Sequence, residues 1–224
     1  MKEKISIYQV LPRLFGNQVK NPVSNGDIQQ NGCGKFNDFT PKVLEEIKNL
    51  GINHIWYTGV IRHATTTSYP GLKAQDPCIV KGKAGSPYAI TDYYDVHPDL
   101  AENANQRMLE FEQLLKRTQE AGMKTIIDFV PNHVSRDYQS LKKPKTTPDL
   151  GENDQSDHHF HPQNNFYYLP GQDLKLEFCE DQKYTESPAK VSGNDCFHAN
   201  PHIDDWYETI KLNYGVDVEN NHAQ

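Results

Sequence analysis

The chain has 224 residues, of which 24% are charged and 36% are hydrophobic, and its formal net charge is −7. This acidic balance disfavours nucleic acid and anionic membranes as partners, because both bind basic surfaces. No apolar run approaches the roughly 20 residues that cross a bilayer, and the first residues do not resemble a signal peptide. We therefore expect a cytoplasmic protein that does not bind a membrane.

The four cysteines, at positions 33, 78, 179 and 196, include no pair in C-x-x-C spacing. This spacing disfavours a zinc site or a redox pair. Free thiols in a reducing compartment are the simplest interpretation, and they agree with the missing signal peptide.

The first half of the chain predicts strands that alternate with helices. Residues 5–11 are rich in β-branched residues and predict a first strand. Thr40 and Pro41 predict the N-cap and first residue of a helix, which Gly51 ends. The continuous apolar run at 52–60 predicts a second strand.

The same order recurs further along the chain. A helical stripe in 107–121 ends at Gly122, and the apolar run at 123–130 predicts a third strand. Strands that alternate with helices predict parallel pairing with right-handed crossovers. Continuous apolar strands also predict burial on both faces of the sheet.

Two long stretches interrupt this pattern. Residues 61–105 are too many for an ordinary strand-to-helix loop of about 2–6 residues, and long loops are usually functional. Residues 134–200 are rich in Asp, Asn, Gln, His and Pro and predict a small irregular subdomain after the third strand. The stretch 200–218 indicates some order but does not distinguish helix from strand.

Polar residues gather where the third strand ends, in "DFVPNH". Each has an ordinary structural explanation: Asp128 caps a turn, Asn132 fills a turn position and His133 packs. Ligand sites of parallel α/β folds lie at the carboxyl ends of the strands. Three such residues together at this position favour a functional site.

These residues carry a resemblance. "DFVPNH" (128–133) resembles the D-x-V-x-N-H motif at the third barrel strand of the α-amylase family of glycoside hydrolases, family 13. Three further stretches resemble segments of that family in the right order, namely "IYQVLPRLFGN", "GSPYAITDYYDVHPDLA" and "FHANPHIDDWY".

The resemblance implies an α/β fold, the N-terminal portion of a (β/α)₈ TIM barrel with an irregular subdomain inserted after the third strand. Residues 1–133 would be the first three βα units and 134–224 the inserted subdomain. The chain would end before the fourth barrel strand, so the barrel would be incomplete.

The resemblance also implies roles for single residues. Tyr88 would stack on, or hydrogen-bond to, a sugar, and His133 would donate a hydrogen bond to one of its hydroxyls. Asp92 and Asp128 would complete the substrate-binding set by orienting their neighbours. Asn132 would ligate a structural Ca²⁺ through its amide oxygen, which suits a hard cation.

The catalytic residues of the family have no match in the chain. Retaining hydrolysis needs a nucleophilic carboxylate and an acid/base carboxyl, and the family's nucleophile lies in G-x-R-x-D. The nearest string here, 215–219, lacks the Arg and places Glu219 in the nucleophile position, which we interpret as a chance match.

We therefore predict a fragment of a glycosidase that acts on α-glucosidic bonds of starch, glycogen or maltooligosaccharides and is inactive alone. One alternative is a non-catalytic carbohydrate-binding or interaction remnant. A second is a metal-dependent hydrolase that uses the histidines of 157–161 with His198 and His202. The second is disfavoured, because these residues lie in a polar loop without helical spacing.

Overall fold

The structure is a computed structural model, and it describes residues 4–221. The regular elements of this part of the chain are, in chain order, β1 (Ile7–Val10), α1 (Ile28–Asn31), α2 (Pro41–Asn49), β2 (His54–Tyr57), β3 (Ile61–His63), β4 (Ile90–Val96), α3 (Arg107–Glu120), β5 (Lys124–Ile127), β6 (His133–Ser135), β7 (Tyr168–Leu169), β8 (Ala189–Lys190), β9 (Thr209–Lys211) and α4 (Val218–Asn221).

The chain divides into two compact units, and each is described by itself. The first unit consists of Met1–Arg62, Thr67–Lys73 and Tyr93–Phe129, and the second of His63–Thr66, Ala74–Asp92 and Val130–Gln224. The second unit therefore includes part of the long stretch that follows the second predicted strand. The domains predicted from the sequence, 1–133 and 134–224, stay predictions.

A parallel sheet with the order β1–β2–β5 forms the centre of the first unit. Ile7 pairs with His54, which in turn pairs with Lys124, so the three strands run side by side in register. Parallel strands joined by helical crossovers confirm the predicted α/β class. Within residues 4–221 the strands do not close into a barrel.

Helix α2 begins and ends where the sequence predicts. The Thr40 hydroxyl accepts a hydrogen bond from the Val43 amide at 3.3 Å, and Pro41 is the first helical residue. The cap satisfies an amide that has no partner within the helix. Gly51 follows the helix at a φ of 83°, a conformation that glycine adopts without steric cost.

Helix α3 buries most of its predicted stripe. Phe111, Leu114 and Thr118 are buried, while Met108 is exposed. The Thr118 hydroxyl is 2.7 Å from the hydroxyl of Tyr57, a buried residue of β2. This bond satisfies two polar groups in the core, because each hydroxyl can donate or accept.

The prediction that the strands are buried on both faces is wrong for the described residues. In β2, Ile55 and Tyr57 are fully buried, but His54 and Trp56 between them are only half-buried. In β5 the side chain of Ile127 is 43% exposed. Alternation of this kind arises because the described elements cover only one face of the sheet.

The second unit has short antiparallel pairings and few regular elements. Strand β6 pairs with β9, and β7 pairs with β8. A hydrophobic cluster that includes Ile79, Tyr167 and Val191 forms its core. The stretch 200–218, which the sequence left unassigned, contains strand β9.

The second unit also contains a disulfide bond between Cys78 and Cys179, whose Cα atoms are 5.8 Å apart. The prediction that all the cysteines are free is therefore wrong, although Cys33 and Cys196 are free. The two bonded cysteines are 101 residues apart, so their spacing in the sequence carried no sign of the pairing. The inference of a reducing compartment loses its support from the thiols.

Candidate functional site

Two of the predicted substrate residues, Tyr88 and His133, meet in the second unit. His133 begins β6 and is 5% exposed, and its ring forms a hydrogen bond with the main chain of Tyr88. Burial lowers the pKa of His133, Lys211 lowers it further, and the bond to Tyr88 opposes both. The imidazole is therefore neutral at pH 7, with one nitrogen that donates and one that accepts.

The Tyr88 side chain remains at the surface while its main chain contacts the imidazole. Its side chain is 36% exposed. An exposed phenol ring, on a residue whose main chain contacts a neutral imidazole, adds an apolar face to hydrogen-bonding groups in the same unit. This combination suits a sugar, which has weakly apolar faces and hydroxyl edges.

Trp206, which belongs to the family-like stretch "FHANPHIDDWY" but received no role in the sequence analysis, lies beside His133. The centroids of the two rings are 5.1 Å apart, and their planes are inclined by 58°. Trp206 is 42% exposed. A tryptophan in a polar stretch, 197–207, was the sign of a binding residue that the sequence offered. Only the folded chain places this tryptophan next to His133.

Gly193 packs directly against the same histidine. A Cβ atom added at this glycine would lie 2.4 Å from the Thr209 hydroxyl oxygen and 2.9 Å from the His133 Cβ. Real Cβ atoms do not approach other atoms so closely, so any larger residue forces β6, β9 or residue 193 to move. The absence of a side chain here is what allows the segment to lie against His133.

We expect Gly193→Ala to lower the free energy of unfolding by about 1–3 kcal/mol, because the added methyl group overpacks this contact. Urea denaturation followed by circular dichroism measures the change. Asn153→Ala, at an exposed turn position of the same unit, is the control and should change stability by less than about 0.5 kcal/mol. Equal stability of Gly193→Ala and the parent protein would contradict the prediction.

Asp92, the third predicted substrate residue, is fully buried in the second unit. Its carboxylate accepts hydrogen bonds from the Ser140 hydroxyl at 2.7 Å and from the Leu141 amide at 2.8 Å. In the structure Asp92 therefore contacts protein groups and orients the start of the 140–150 loop. Direct contact between Asp92 and a sugar stays a prediction.

Asp128 belongs to the first unit, at the end of β5. Its carboxylate accepts hydrogen bonds from the indole Nε1 of Trp56 and from the Gly59 amide, the latter at 2.8 Å. These bonds connect the ends of β2 and β5, so Asp128 orients its neighbours at this edge of the sheet. A role in substrate binding stays a prediction for this residue as well.

Asn132, the predicted calcium ligand, is exposed, and its main-chain carbonyl accepts a hydrogen bond from the Leu212 amide at 3.0 Å. Ca²⁺ takes six to eight oxygen ligands, usually including carboxylates. Among residues 4–221 no three His, Cys, Asp or Glu side chains gather into a group that could hold a metal. The ion therefore stays a prediction of the resemblance.

The histidines of the 157–161 loop contact acidic side chains. His158 is 2.8 Å from the Asp157 carboxylate, and His159 is 2.8 Å from the carboxylate of Glu219. Glu219, the residue in the chance match to the nucleophile motif, therefore forms an ion-pair contact at the surface. The metal-dependent alternative gains no support from these contacts.

Most of the chain matches one family of known proteins. The family model described as the alpha amylase catalytic domain matches residues 9–193. The chain belongs to the alpha-amylase family.

Known relatives match this chain only in part. Maltase A1 of Drosophila melanogaster is 29% identical over 141 residues, which are 63% of this chain and 18% of that protein. Alpha-glucosidase of Apis mellifera is 30% identical over 139 residues, or 62% of this chain and 18% of that protein. The chain thus spans about a fifth of the length of these curated relatives.

A solved structure in the comparison is a debranching enzyme from Nostoc punctiforme, with 20% identity and a TM-score of 0.49 over 94% of this chain and 36% of that one. Within the described part of the chain, no helix has the length and apolar character needed to cross a bilayer. The motif residues Tyr88 and His133 lie inside the matched range, so the resemblance and the family assignment rest on the same stretch of sequence.

Proposed function

We propose that the chain is part of an α-amylase-type glycoside hydrolase and that Tyr88 and His133 hold one sugar ring of an α-glucan or maltooligosaccharide. The observation that carries this proposal is the hydrogen bond between the His133 ring and the Tyr88 main chain within one compact unit. Relatives named maltase and alpha-glucosidase support α-glucosides as the substrate class.

Tyr88 and His133 would contact different parts of the sugar ring. The Tyr88 ring covers the apolar face of the sugar, and the neutral imidazole of His133 hydrogen-bonds to a hydroxyl. Asp92 supports the proposal indirectly, because it orients the segment beside it through hydrogen bonds. A part for Asp128 comes only from the resemblance. Calcium at Asn132 is part of the proposal only through the resemblance, and no step depends on it.

We further propose that the 224-residue chain does not hydrolyse glycosidic bonds by itself. The reaction requires two carboxyl groups about 5–5.5 Å apart across the bond. The sequence contains no G-x-R-x-D string, and Glu219 contacts His159 instead. The prediction of inactivity follows from the missing nucleophile.

A non-catalytic carbohydrate-binding role is the second candidate. The unit that contains Tyr88 and His133 has its own hydrophobic cluster and its own disulfide bond. A unit with its own core and its own cross-link fits a protein that binds a sugar without hydrolysing it. Both candidates predict that the pure chain binds maltotriose, whereas an insoluble product would exclude this candidate and favour the fragment.

The experiment measures maltotriose binding and maltose hydrolysis with the 224-residue protein and its Tyr88→Ala and His133→Ala variants. We expect no glucose release and a weakening of binding by about tenfold in each variant. Tyr94→Ala is the control, because Tyr94 is an exposed tyrosine of the first unit. Binding unaffected by Tyr88→Ala and His133→Ala, or glucose release that depends on either residue, would contradict the proposal.

A further inference from the structure

Trp206 is a large aromatic residue at the surface of the second unit that the proposed function does not use. Its side chain is 42% exposed, whereas most residues of this size are largely buried. Exposed aromatic rings are common at binding surfaces, because they cover much area with few rotatable bonds. The exposed indole ring is therefore a candidate binding surface.

The main chain holds Trp206 firmly in place. Its amide donates to the Asn194 side-chain oxygen at 3.2 Å, and its carbonyl accepts bonds from the Thr209 amide and hydroxyl, each at 2.9 Å. Asn194 also donates to the carboxylate of Asp205 at 2.8 Å. A ring fixed in this way loses little conformational freedom when a ligand covers it, which favours binding.

The ring adjoins the proposed sugar site. The Trp206 and His133 ring centroids are 5.1 Å apart, and the His133 ring is bonded to the Tyr88 main chain. A sugar ring at Tyr88 and His133 that continued into a second ring past His133 would reach Trp206. Gly193 packs against Thr209 and His133 and restricts the movement of His133.

Polar and charged groups lie at the residues next to Trp206 in the chain. The Lys81 ammonium donates to the Asp205 carbonyl at 3.1 Å and is 3.8 Å from the carboxylate of Glu208. The Asp204 carboxylate is almost fully exposed. An exposed aromatic ring on a segment rich in charged donors and acceptors matches the face and the edges of a sugar better than it matches a purely apolar ligand.

We infer that Trp206 is the platform for a second glucosyl ring, so that the site prefers maltooligosaccharides to single glucosyl units. This inference rests on the proposed function and adds a specificity-determining residue to the same site. Trp206 contacts the neighbouring ring rather than the ring held by Tyr88 and His133. Its removal should therefore affect long and short sugars differently.

The experiment compares the affinities of maltotriose and methyl α-glucoside for the 224-residue protein by saturation-transfer NMR titration. We expect Trp206→Ala to raise the Kd of maltotriose by about fivefold and to leave that of methyl α-glucoside within about twofold. Trp206→Phe should restore most of the maltotriose affinity, because it keeps an aromatic face. Thermal unfolding verifies that each variant folds.

The control is Ile203→Ala, an exposed apolar residue of the same segment, which should change neither affinity. If Trp206→Ala changes neither Kd, or weakens both sugars equally, the inference is wrong. If Tyr88→Ala weakens maltotriose while Trp206→Ala has no effect, this inference alone fails and the proposed function stands. If the parent protein binds neither sugar, both are contradicted.

Discussion

Arg136→Met is expected to destabilise the second unit by about 3–5 kcal/mol. The Arg136 side chain is fully buried, and its guanidinium donates to the Glu186 carboxylate and to the Ser192 hydroxyl, each at 2.7 Å. It also donates to the Tyr207 carbonyl. Removal of the cation leaves the buried Glu186 carboxylate without its principal charge partner, which costs far more than the bond itself contributes.

Urea denaturation of the single variants and of Arg136→Met/Glu186→Leu tests this account. The double variant should recover much of the loss, because apolar residues that replace both members of a buried pair remove the unpaired charge. Lys116→Met is the control, since Lys116 forms an exposed ion pair with Glu120 at 3.8 Å. This variant should change the free energy of unfolding by less than about 1 kcal/mol. A single variant as stable as the parent protein would exclude a structural role for the pair.

Loss of the Cys78–Cys179 disulfide is expected to lower the stability of the second unit by roughly 4 kcal/mol, through either Cys78→Ser/Cys179→Ser or reduction. The bond closes a loop with a sequence separation of 101 residues. Such a closure restricts the unfolded chain, and the entropy that it removes grows with the length of the loop. Thermal unfolding with and without dithiothreitol measures the effect.

The matched control for the disulfide is Cys33→Ser/Cys196→Ser, which removes the two free cysteines. This variant should keep the full sensitivity to dithiothreitol, whereas the variant without Cys78 and Cys179 should have none. Four free thiols in the oxidised parent protein, measured by alkylation and intact mass, would show that the bond does not form. The bond links the segment of the second unit that carries Tyr88 to the segment that carries His133.

The arrangement of the first unit was largely predictable because its signals are local. The hydroxyl of Thr40, the proline after it and the glycine at position 51 act within a few residues, and helix α2 begins and ends accordingly. The apolar runs likewise predicted three strands, which pair in parallel. Burial on both faces failed as a prediction, because an apolar run does not reveal how much of the sheet its neighbours cover.

Part of the candidate site was likewise predictable from local sequence, and part was not. Tyr88 and His133 were found from motifs, each of which is a short string of residues. Gly193 and the Arg136–Glu186 pair were missed, and Trp206 was in a motif but received no role, because each depends on contacts between segments that are distant in the sequence. A short polar loop has no periodicity from which such contacts can be inferred.

By itself the sequence determined the α/β class, the ends of helix α2 and the positions of Tyr88 and His133, since these depend on local propensity and on short motifs. Only the tertiary structure decided the disulfide, the buried Arg136 and the place of Trp206 beside His133. The physical reason is that such contacts depend on how the whole chain packs, and many packings are compatible with the same local preferences.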